Sequence, residues 1–286
     1  MKIGVKTICR VLGLNRSGYY AWKKRPMPQG KAANLRLVSE LKVIHEKSRG
    51  TYGSPRITEV LNSKGLPCGR HRIARIMQKE GIFGCARRKF RPITTDSKHN
   101  YPIAPRVFKI EHPNSLPKKP NQVWVSDTTY VSTLEGWLYL TIQLDVFTRK
   151  IVGYSMANNL RTDAVWESMQ KGIIKQEGAL SIKEPNLIAH SDRGTQYASA
   201  QYREKLENLG IIQSMSRSGN CYDNAFAESF FHTLKVELVH RQEFKTRAQA
   251  EKAIQEYIDN WYNSMRLHSG LGYKAPLDYE RQALAA

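Results

Sequence analysis

The sequence predicts an α/β fold in which a mixed β-sheet flanked by helices follows small all-α units. Apolar residues recur at helical spacing over the first 85 positions, alternate as in strands from residue 121, and return to helical spacing near the end. A stretch rich in proline and basic residues lies between these regions. We therefore divide the chain into an N-terminal helical segment, a second helical unit, a linker and a large α/β domain, with the boundaries 1–33, 34–85, 86–120 and 121–286.

The composition is that of a folded protein without membrane spans. Apolar residues make up 41% and charged residues 24% of the chain, which excludes wholesale disorder. No apolar run reaches the roughly 18–20 residues of a membrane span, and the basic start MKIGVKTICRVLGL lacks the apolar stretch of a signal peptide. The four cysteines lie far apart without a CxxC motif, which is typical of reduced thiols. We expect a cytoplasmic protein with no membrane partner.

Positive charge is concentrated in the first 120 residues. They contain 27 Lys and Arg against 6 Asp and Glu, a balance of +21, whereas residues 121–286 contain 18 against 19. A basic segment joined to a neutral one is typical of a nucleic-acid-binding module attached to a second domain. The alternative is a solubilising basic tail, which the helical apolar pattern of this segment disfavours.

Residues 1–33 predict two short helices joined at Gly13, where a turn needs a residue that is free to adopt positive φ. The second helix runs over residues 17–24 and ends before Pro26. We expect its aromatic side chains to dock in a core, namely Tyr19, Tyr20 and Trp22.

Residues 34–85 predict three amphipathic helices. Ser54 and Pro55 suit the N-cap and first turn of the middle helix, and Gly65 follows it. The third helix covers residues 70–80, and its outward positions are basic: Arg70, Arg72, Arg75 and Lys79. A helix, a turn with glycine and a basic helix form the arrangement that places a recognition helix in a DNA major groove.

The linker over residues 86–120 carries the basic run Arg87, Arg88 and Lys89. Its prolines and basic side chains suit an extended arm that lies along DNA phosphates. We therefore include these three residues among the predicted DNA contacts.

The pattern from residue 121 onward predicts the element order β-β-β-α-β-α-β-α-α. The segments VWVSDTTYV, WLYLTIQLDVF and KIVGYSM are three strands joined by short turns, as in an antiparallel meander. A helix over residues 162–176 follows, and then the strand PNLIAHSD, the helix SAQYREKLENLG and the strand IIQSM. Two helices over residues 223–240 and 246–262 come last. This order describes a mixed sheet flanked by helices.

Three acidic residues occupy positions that suit metal ligands. Asp127 lies in the middle of the first strand, where a carboxylate is costly unless a cation neutralises it. Asp192 ends the fourth strand, and Glu228 lies in the first turns of a helix. Taken singly, each acid has an alternative as a helix cap, a turn residue or a surface charge. Together they favour Mg²⁺ or Mn²⁺, with two ions about 4 Å apart.

The spacing of these acids and the segments around them resemble a known family. Asp192 and Glu228 are separated by 35 residues, and Lys235 follows seven residues later. The matching segments are VWVSDTTYV, LDVFTRKIVGYS, HSDRGTQYAS, SRSGNCYDNAFAESFFHTLKVEL and WYNSMRLHSGLGYKAP, preceded by YGSPRI. They are similar to the DDE transposases of bacterial insertion sequences, in particular to the catalytic second-frame product of the family related to retroviral integrases. The resemblance covers residues 34–280 and implies an RNase H-like fold.

The resemblance also implies an activity, cofactors and partners. Such a transposase cleaves phosphodiesters at transposon ends and joins the 3′-hydroxyl to another strand, using Mg²⁺, or Mn²⁺ in its place, held by Asp127, Asp192 and Glu228. The implied partners are double-stranded DNA, at least one further copy of the chain, and an upstream-frame product as partner or fusion. The tail after Tyr262, with Arg266 and His268, is expected to reach a partner's DNA.

Further residues near the acids have two interpretations each. Lys235 lies two helical turns after Glu228 and is expected to hold a terminal phosphate, with an ordinary solvated lysine as the alternative. Asn224 is expected to bond a nucleotide or metal-bound water, or to cap its helix. Asp145 closes the second strand and is a candidate fourth ligand, but we interpret it as structural and paired with Arg149.

Two other functions use the same features. An RNase H-like nuclease or junction resolvase would use the same acids without strand transfer, which Lys235 and the basic N-terminal region disfavour. A DNA-binding regulator with a decayed catalytic domain is the alternative without enzymatic activity, and the presence of all three acids disfavours it.

Overall fold

The computed structural model describes residues 4–26, 29–85, 101–111, 116–176, 187–217 and 224–285. The chain divides into two units, Met1–Gly84 and Cys85–Ala286. In the described ranges no helix is both long and apolar enough to cross a membrane. The predicted DNA contacts Arg87, Arg88 and Lys89 lie outside the described residues.

In its described residues, 4–26 and 29–84, the first unit contains five helices. Their bounds are α1 Val5–Val11, α2 Arg16–Lys24, α3 Gln29–Lys47, α4 Ser54–Ser63 and α5 Arg70–Lys79. The core lies between α3, α4 and α5, and its fully buried side chains are Leu41, Ile57, Leu61 and Ile73. Pro55 occupies the first turn of α4, as predicted, and Gly65 follows the helix with φ +73°.

The prediction that the aromatic residues of α2 dock in a core is wrong. No residue of α2 is buried, and Trp22 is 65% exposed. Tyr19 instead contacts its own neighbours, with ring centroids 5.4 Å from Tyr20 and 6.0 Å from Trp22. The reason is length: α1 and α2 have 7 and 9 residues, and between them they bury only Cys9. Two helices this short cannot enclose bulky rings.

The second unit contains a mixed five-stranded sheet. The strands are β1 Val123–Thr133, β2 Gly136–Asp145, β3 Ile151–Ala157, β4 Ile188–Ser191 and β5 Ile212–Met215. Their order in the sheet is β3-β2-β1-β4-β5, with β2 antiparallel to β1 and β3, and with β4 parallel to β1 and β5. The predicted mixed sheet and the predicted succession of strands along the chain are confirmed, with two helices in place of the one predicted between β4 and β5.

Helices surround this sheet. They are α6 Thr162–Lys175, α7 Thr195–Ala198, α8 Ala200–Asn208, α9 Ala225–Glu237, α10 Arg247–Glu256 and α11 Pro276–Ala285. Helix α10 continues as a π-helical segment, Tyr257–Tyr262, and short 3-10 turns cover Val239–Arg241 and Ser269–Leu271. The buried core on the α6 side of the sheet includes Trp124, Val165 and Met169.

Helix α6 packs unusually close to β3 because of glycine. A Cβ atom at Gly153 would collide with the carbonyl oxygen of Ser168 and with the backbone of Gly172. A Cβ at Gly172 would lie 3.0 Å from the Trp124 ring and 3.6 Å from the Cα of Gly153. The glycine in the segment KIVGYSM is therefore required for the contact between helix and sheet.

The described end of the predicted linker packs on the second unit. Phe108 is 1% exposed, and its ring lies edge-on to His190 with centroids 5.3 Å apart. The backbone N–H groups of Val107 and Phe108 both donate to the Ser214 hydroxyl oxygen, at 3.0 and 3.1 Å. Residues 101–111 thus cover the edge of the sheet formed by β4 and β5.

Candidate active site

The two aspartates leave adjacent strands at the same level of the sheet. In the parallel register of β1 and β4, Ser126 faces Ser191. Asp127 and Asp192 are the next residues on their strands, so their carboxylates lie side by side. Each carboxylate accepts a local backbone bond: Asp127 from the N–H of Thr128 at 2.8 Å, and Asp192 from the N–H of Gly194 at 3.0 Å.

The electrostatics at Asp127 disfavour negative charge. Burial raises the pKa of Asp127 well above its usual value, and the neighbouring carboxylates of Asp192 and Glu228 raise it further. The N–H of Thr128 and the ammonium of Lys235 act in the opposite direction but do not compensate. Burial also raises the pKa of Glu228. The group thus contains more negative charge than its own cations neutralise.

Glu228 lies in the region of the aspartates but is exposed to solvent, in the first turn of α9. Within the described ranges, no three carboxylate, imidazole or thiol side chains stand close enough together to hold one ion. The geometry places two acids together and the third within electrostatic range.

Helix α9, which carries Glu228, is fixed at its C-terminal end by a buried ion pair. Glu237 accepts from the Arg266 guanidinium at 3.0 and 2.8 Å, and the two side chains are 5% and 6% exposed. The hydroxyl of Tyr257 donates to the same carboxylate at 2.9 Å. Burial would raise the pKa of Glu237, but the bonds and charge of Arg266 lower it overall.

This ion pair corrects the prediction for the tail. Arg266 and His268 do not extend from the unit towards DNA. Arg266 is buried against Glu237, and the His268 ring packs edge-on to Tyr262 with centroids 4.9 Å apart. The guanidinium lies against the π-helical segment, with its central carbon 5.8 Å from the centroid of the Tyr262 ring.

The N-terminal turn of α9 rests on Arg149. The guanidinium of Arg149 lies 3.6 Å from the centroid of the Phe226 ring. Asp145 fixes the turn before Arg149 by accepting from the N–H and hydroxyl of Thr148, at 2.8 and 2.6 Å. These bonds support the interpretation of Asp145 as structural, and Arg149 contacts it through the backbone, where the Arg149 N–H donates to the Asp145 carbonyl at 2.8 Å.

Family models match this arrangement of domains. The segment 117–221 matches an integrase core domain, and the segment 228–284 matches a second integrase core model. The first segment contains both aspartates, and the second begins at Glu228. Residues 32–90, which contain most of α3 together with α4 and α5, match an HTH-like domain.

Curated relatives cover nearly the whole chain. The insertion element IS600 31 kDa protein of Shigella sonnei is 41% identical over 96% of this chain and 98% of its own length. The transposase InsF for insertion sequence IS3A of Escherichia coli strain K12 is 34% identical, over 99% of this chain and 96% of its own length. The chain belongs to the transposase family of bacterial insertion sequences. The resemblance seen in the sequence is thereby confirmed.

A solved structure with a similar core is that of the HTLV-2 integrase catalytic core domain in complex with magnesium, in its dimeric form. Its TM-score is 0.40 at 17% identity, with 57% of this chain and 98% of that chain covered.

The transposase contains a buried polar network behind Asp127 that the sequence did not reveal. The hydroxyl of Tyr197 lies 3.0 Å from that of Ser126, to which Gln143 donates at 2.9 Å. Gln143 also donates to Ser168 at 2.9 Å. Burial raises the pKa of Tyr197 well above its usual value, and the two aspartates raise it further, so the phenol stays protonated. The polar residues within strands β1 and β2 were the feature of the sequence from which this network could have been predicted.

Two predicted residues of the transposase have defined positions on α9. The Lys235 ammonium lies 5.1 Å from the centroid of the Tyr130 ring, and burial lowers its pKa while Asp127 raises it. Asn224 stands at the N-cap position, but its side chain makes no capping bond. Its Oδ1 atom is buried without a hydrogen-bond partner among the described residues. The capping alternative for Asn224 is therefore wrong.

One basic side chain of α5 forms hydrogen bonds within the first unit, and the others are exposed. Arg70, Arg75 and Lys79 are exposed. Arg72 is half-buried and donates to Asn34 Oδ1 from two nitrogens, at 3.0 and 2.7 Å. Arg72 thus joins α5 to α3 in this structure.

We expect Glu237→Gln to destabilise the transposase by roughly 3–5 kcal/mol, because the substitution leaves the buried Arg266 charge uncompensated. Thermal unfolding should show a fall in Tm of about 2–4 °C for each kcal/mol. The matched control is Glu167→Gln, which removes an exposed pair with Lys171 and should change stability by less than about 1 kcal/mol. Equal effects of the two substitutions would contradict the assigned role of the ion pair.

Proposed function

We propose that Asp127, Asp192 and Glu228 hold the divalent cations with which this transposase cleaves and joins DNA. The observation that carries the proposal is the adjacent pair of aspartates at the ends of parallel strands, where burial, and next to it the charge of Asp192, raises the pKa of Asp127. A group of carboxylates with excess negative charge at a sheet edge is a site for a cation. Hard oxygen donors favour Mg²⁺, with Mn²⁺ as a substitute, and three acids suffice for two ions.

When bound, such ions activate the attacking water or 3′-hydroxyl and stabilise the leaving oxygen. The residues of the chain determine where this takes place. Asp127 is fixed within a strand that is paired along its length with β2, and Asp192 follows the short strand β4. Glu228 lies within electrostatic range of the pair, on α9, which Arg149 and the Glu237–Arg266 ion pair support at its two ends. Lys235 adds a cation that can hold a phosphate beside Asp127.

Removing any one acid tests this proposal. Asp127→Ala, Asp192→Ala and Glu228→Ala should each reduce nicking and joining on the order of 10³-fold, since an ion held by these oxygens contributes several kcal/mol to the transition state. Mg²⁺ should raise the Tm of the wild-type chain but not that of the Asp127 variant.

The control is Glu167→Ala on α6, which should keep full activity. Retained cleavage in two of the three acid variants would contradict the assignment, whatever their stability.

We further propose that α5 is the helix that reads DNA, with the arm residues Arg87, Arg88 and Lys89 contacting phosphates. The exposure of Arg70, Arg75 and Lys79 on one basic helix supports this. Arg72 contributes indirectly, by fixing α5 against Asn34.

The test compares specific with random DNA at several salt concentrations. Arg75→Ala should weaken binding to the element's end roughly 5- to 150-fold, and binding to random DNA less, if the side chain reads a base. Lys42→Ala on α3, whose ammonium pairs with Glu80 at 3.0 Å, is the control. Equal losses on both DNAs, with a smaller salt dependence, would show a phosphate contact only.

We propose that the transposase acts as a multimer of at least two chains that holds both ends of the element. Each chain offers one group of three acids, whereas mobilisation requires chemistry at two DNA ends. Cleavage of the DNA would then require that at least two chains first assemble.

A mixing experiment tests this. A Glu228→Ala chain is combined with a chain that lacks residues 1–33 or is otherwise defective in end binding. The mixture should regain activity that neither chain has alone. An inactive mixture, together with cleavage by an isolated wild-type monomer, would rule out the multimer.

We also propose domain boundaries after residues 33, 85 and 120. We propose in addition a cytoplasmic location in contact with the nucleoid, and an upstream-frame product that acts as partner or fusion. Mass spectrometry of the polypeptide made from the intact element would detect a fusion as a chain longer than 286 residues.

A further inference from the structure

An exposed aromatic pair lies on the hairpin formed by β1 and β2. The rings of Tyr130 and Trp137 meet edge-on, with centroids 4.8 Å apart and an interplanar angle of 78°. Tyr130 is half-buried, and Trp137 is 49% exposed. A tryptophan with half of its surface in water leaves an apolar face available to a flat partner.

The hairpin does not need this pair to keep its shape. The N–H of Leu134 donates to the carbonyl of Phe244 at 3.0 Å. Arg247 donates from Nε to the carbonyl of Trp137 at 3.0 Å and from its backbone N–H to Glu135 at 2.8 Å. These bonds fix the backbone of the hairpin, so the exposed indole is not explained by stability alone.

The aromatic pair lies further along β1 than the carboxylates and, because three residues separate Tyr130 from Asp127, on the other face of the strand, with Lys235 close to both. Tyr130 follows Asp127 by three residues on β1, which at about 3.4 Å per residue is roughly 10 Å. The pairing of β1 with β4 stops at Ser126, so within the described residues the side of β1 that faces β4 carries no partner strand from Asp127 onward. Helix α9 packs against β1 there, so a DNA strand would reach the pair from the solvent-exposed indole of Trp137.

A cation accompanies the aromatic surface. The Lys235 ammonium lies 5.1 Å from the centroid of the Tyr130 ring and close enough to Asp127 to affect its pKa. Aromatic faces combined with a lysine match the two parts of a nucleotide, a flat base and a charged phosphate. A protein segment or a lipid would not need the carboxylates beside this surface.

We propose that Tyr130 and Trp137 form a stacking surface for one unpaired base of the DNA strand that is cut or joined, with Lys235 contacting its phosphate. The base must be unpaired, because neighbouring bases cover both faces of a base within a duplex. At about 3.4 Å per nucleotide, the base lies within about three nucleotides of the reacting phosphate. The proposal rests on the assignment of Asp127 as a metal ligand, which locates that phosphate.

Photocrosslinking tests the position of the base. End duplexes carry 5-iodouracil at single sites along the cut strand and are bound to the full chain with Glu228→Ala, so that no turnover occurs. Nucleotides within three positions of the cleavage site should crosslink to Trp137 or Tyr130. Crosslinks from these nucleotides to other residues only would overturn the proposal.

Kinetics with paired and mismatched ends provide the second measurement. A mismatch at the cleavage site should speed nicking by the wild type, since the base is already unpaired. Trp137→Ala should reduce nicking of paired ends about 10-fold and abolish the gain from the mismatch, whereas Trp137→Phe should restore most of both. The control is Leu134→Ala, which removes a 68% exposed side chain from the same hairpin.

These outcomes distinguish a failure of the stacking surface from a failure of the metal assignment. If Trp137→Ala keeps the wild-type response to mismatches, the stacking surface is wrong even when the acid variants are inactive. If the acid variants remain active, the metal assignment fails, and the crosslinks alone decide whether a base lies on the aromatic pair.

Discussion

Two carboxylates side by side at the junction of parallel strands are the constraint on which the catalytic unit depends. Asp127 and Asp192 stand there because β1 and β4 share one register, and their repulsion, together with burial, raises the pKa of Asp127. The fold tolerates this cost because the surrounding strands and helices form an extensive apolar core. Such an excess of negative charge lowers the stability of the fold unless a cation neutralises it. Active sites often reduce stability in this way.

The third acid depends on how α9 is held. Its C-terminal end is fixed by a desolvated ion pair with Arg266, and its first turn by the stacking of Arg149 on Phe226. Glu228 lies between these two supports, in the first turn of the helix. Few direct contacts hold the glutamate itself, so its position follows that of the helix.

Local patterns in the sequence predicted most of the elements and the placement of the aspartates, because alternation of apolar residues marks strands and parallel strands end at a common edge. Contacts between distant segments were not predictable in this way. Arg266 is 29 residues from Glu237, and no periodicity distinguishes a buried arginine from one that binds DNA. The docking of Trp22 failed for a related reason: an aromatic residue signals burial only when enough chain surrounds it.

The contact of residues 101–111 with the sheet has a mechanical consequence. Phe108 and its neighbour are bonded to Ser214 on β5, and Ser214 is bonded to His190 on β4 at 2.9 Å. A pull on the chain from its N-terminal side therefore acts on the two short strands, and not on the long hairpin. β4 leads directly into Asp192, whereas Asp127 is embedded in a strand of 11 residues. Tension would move one aspartate of the pair while the other stayed in place.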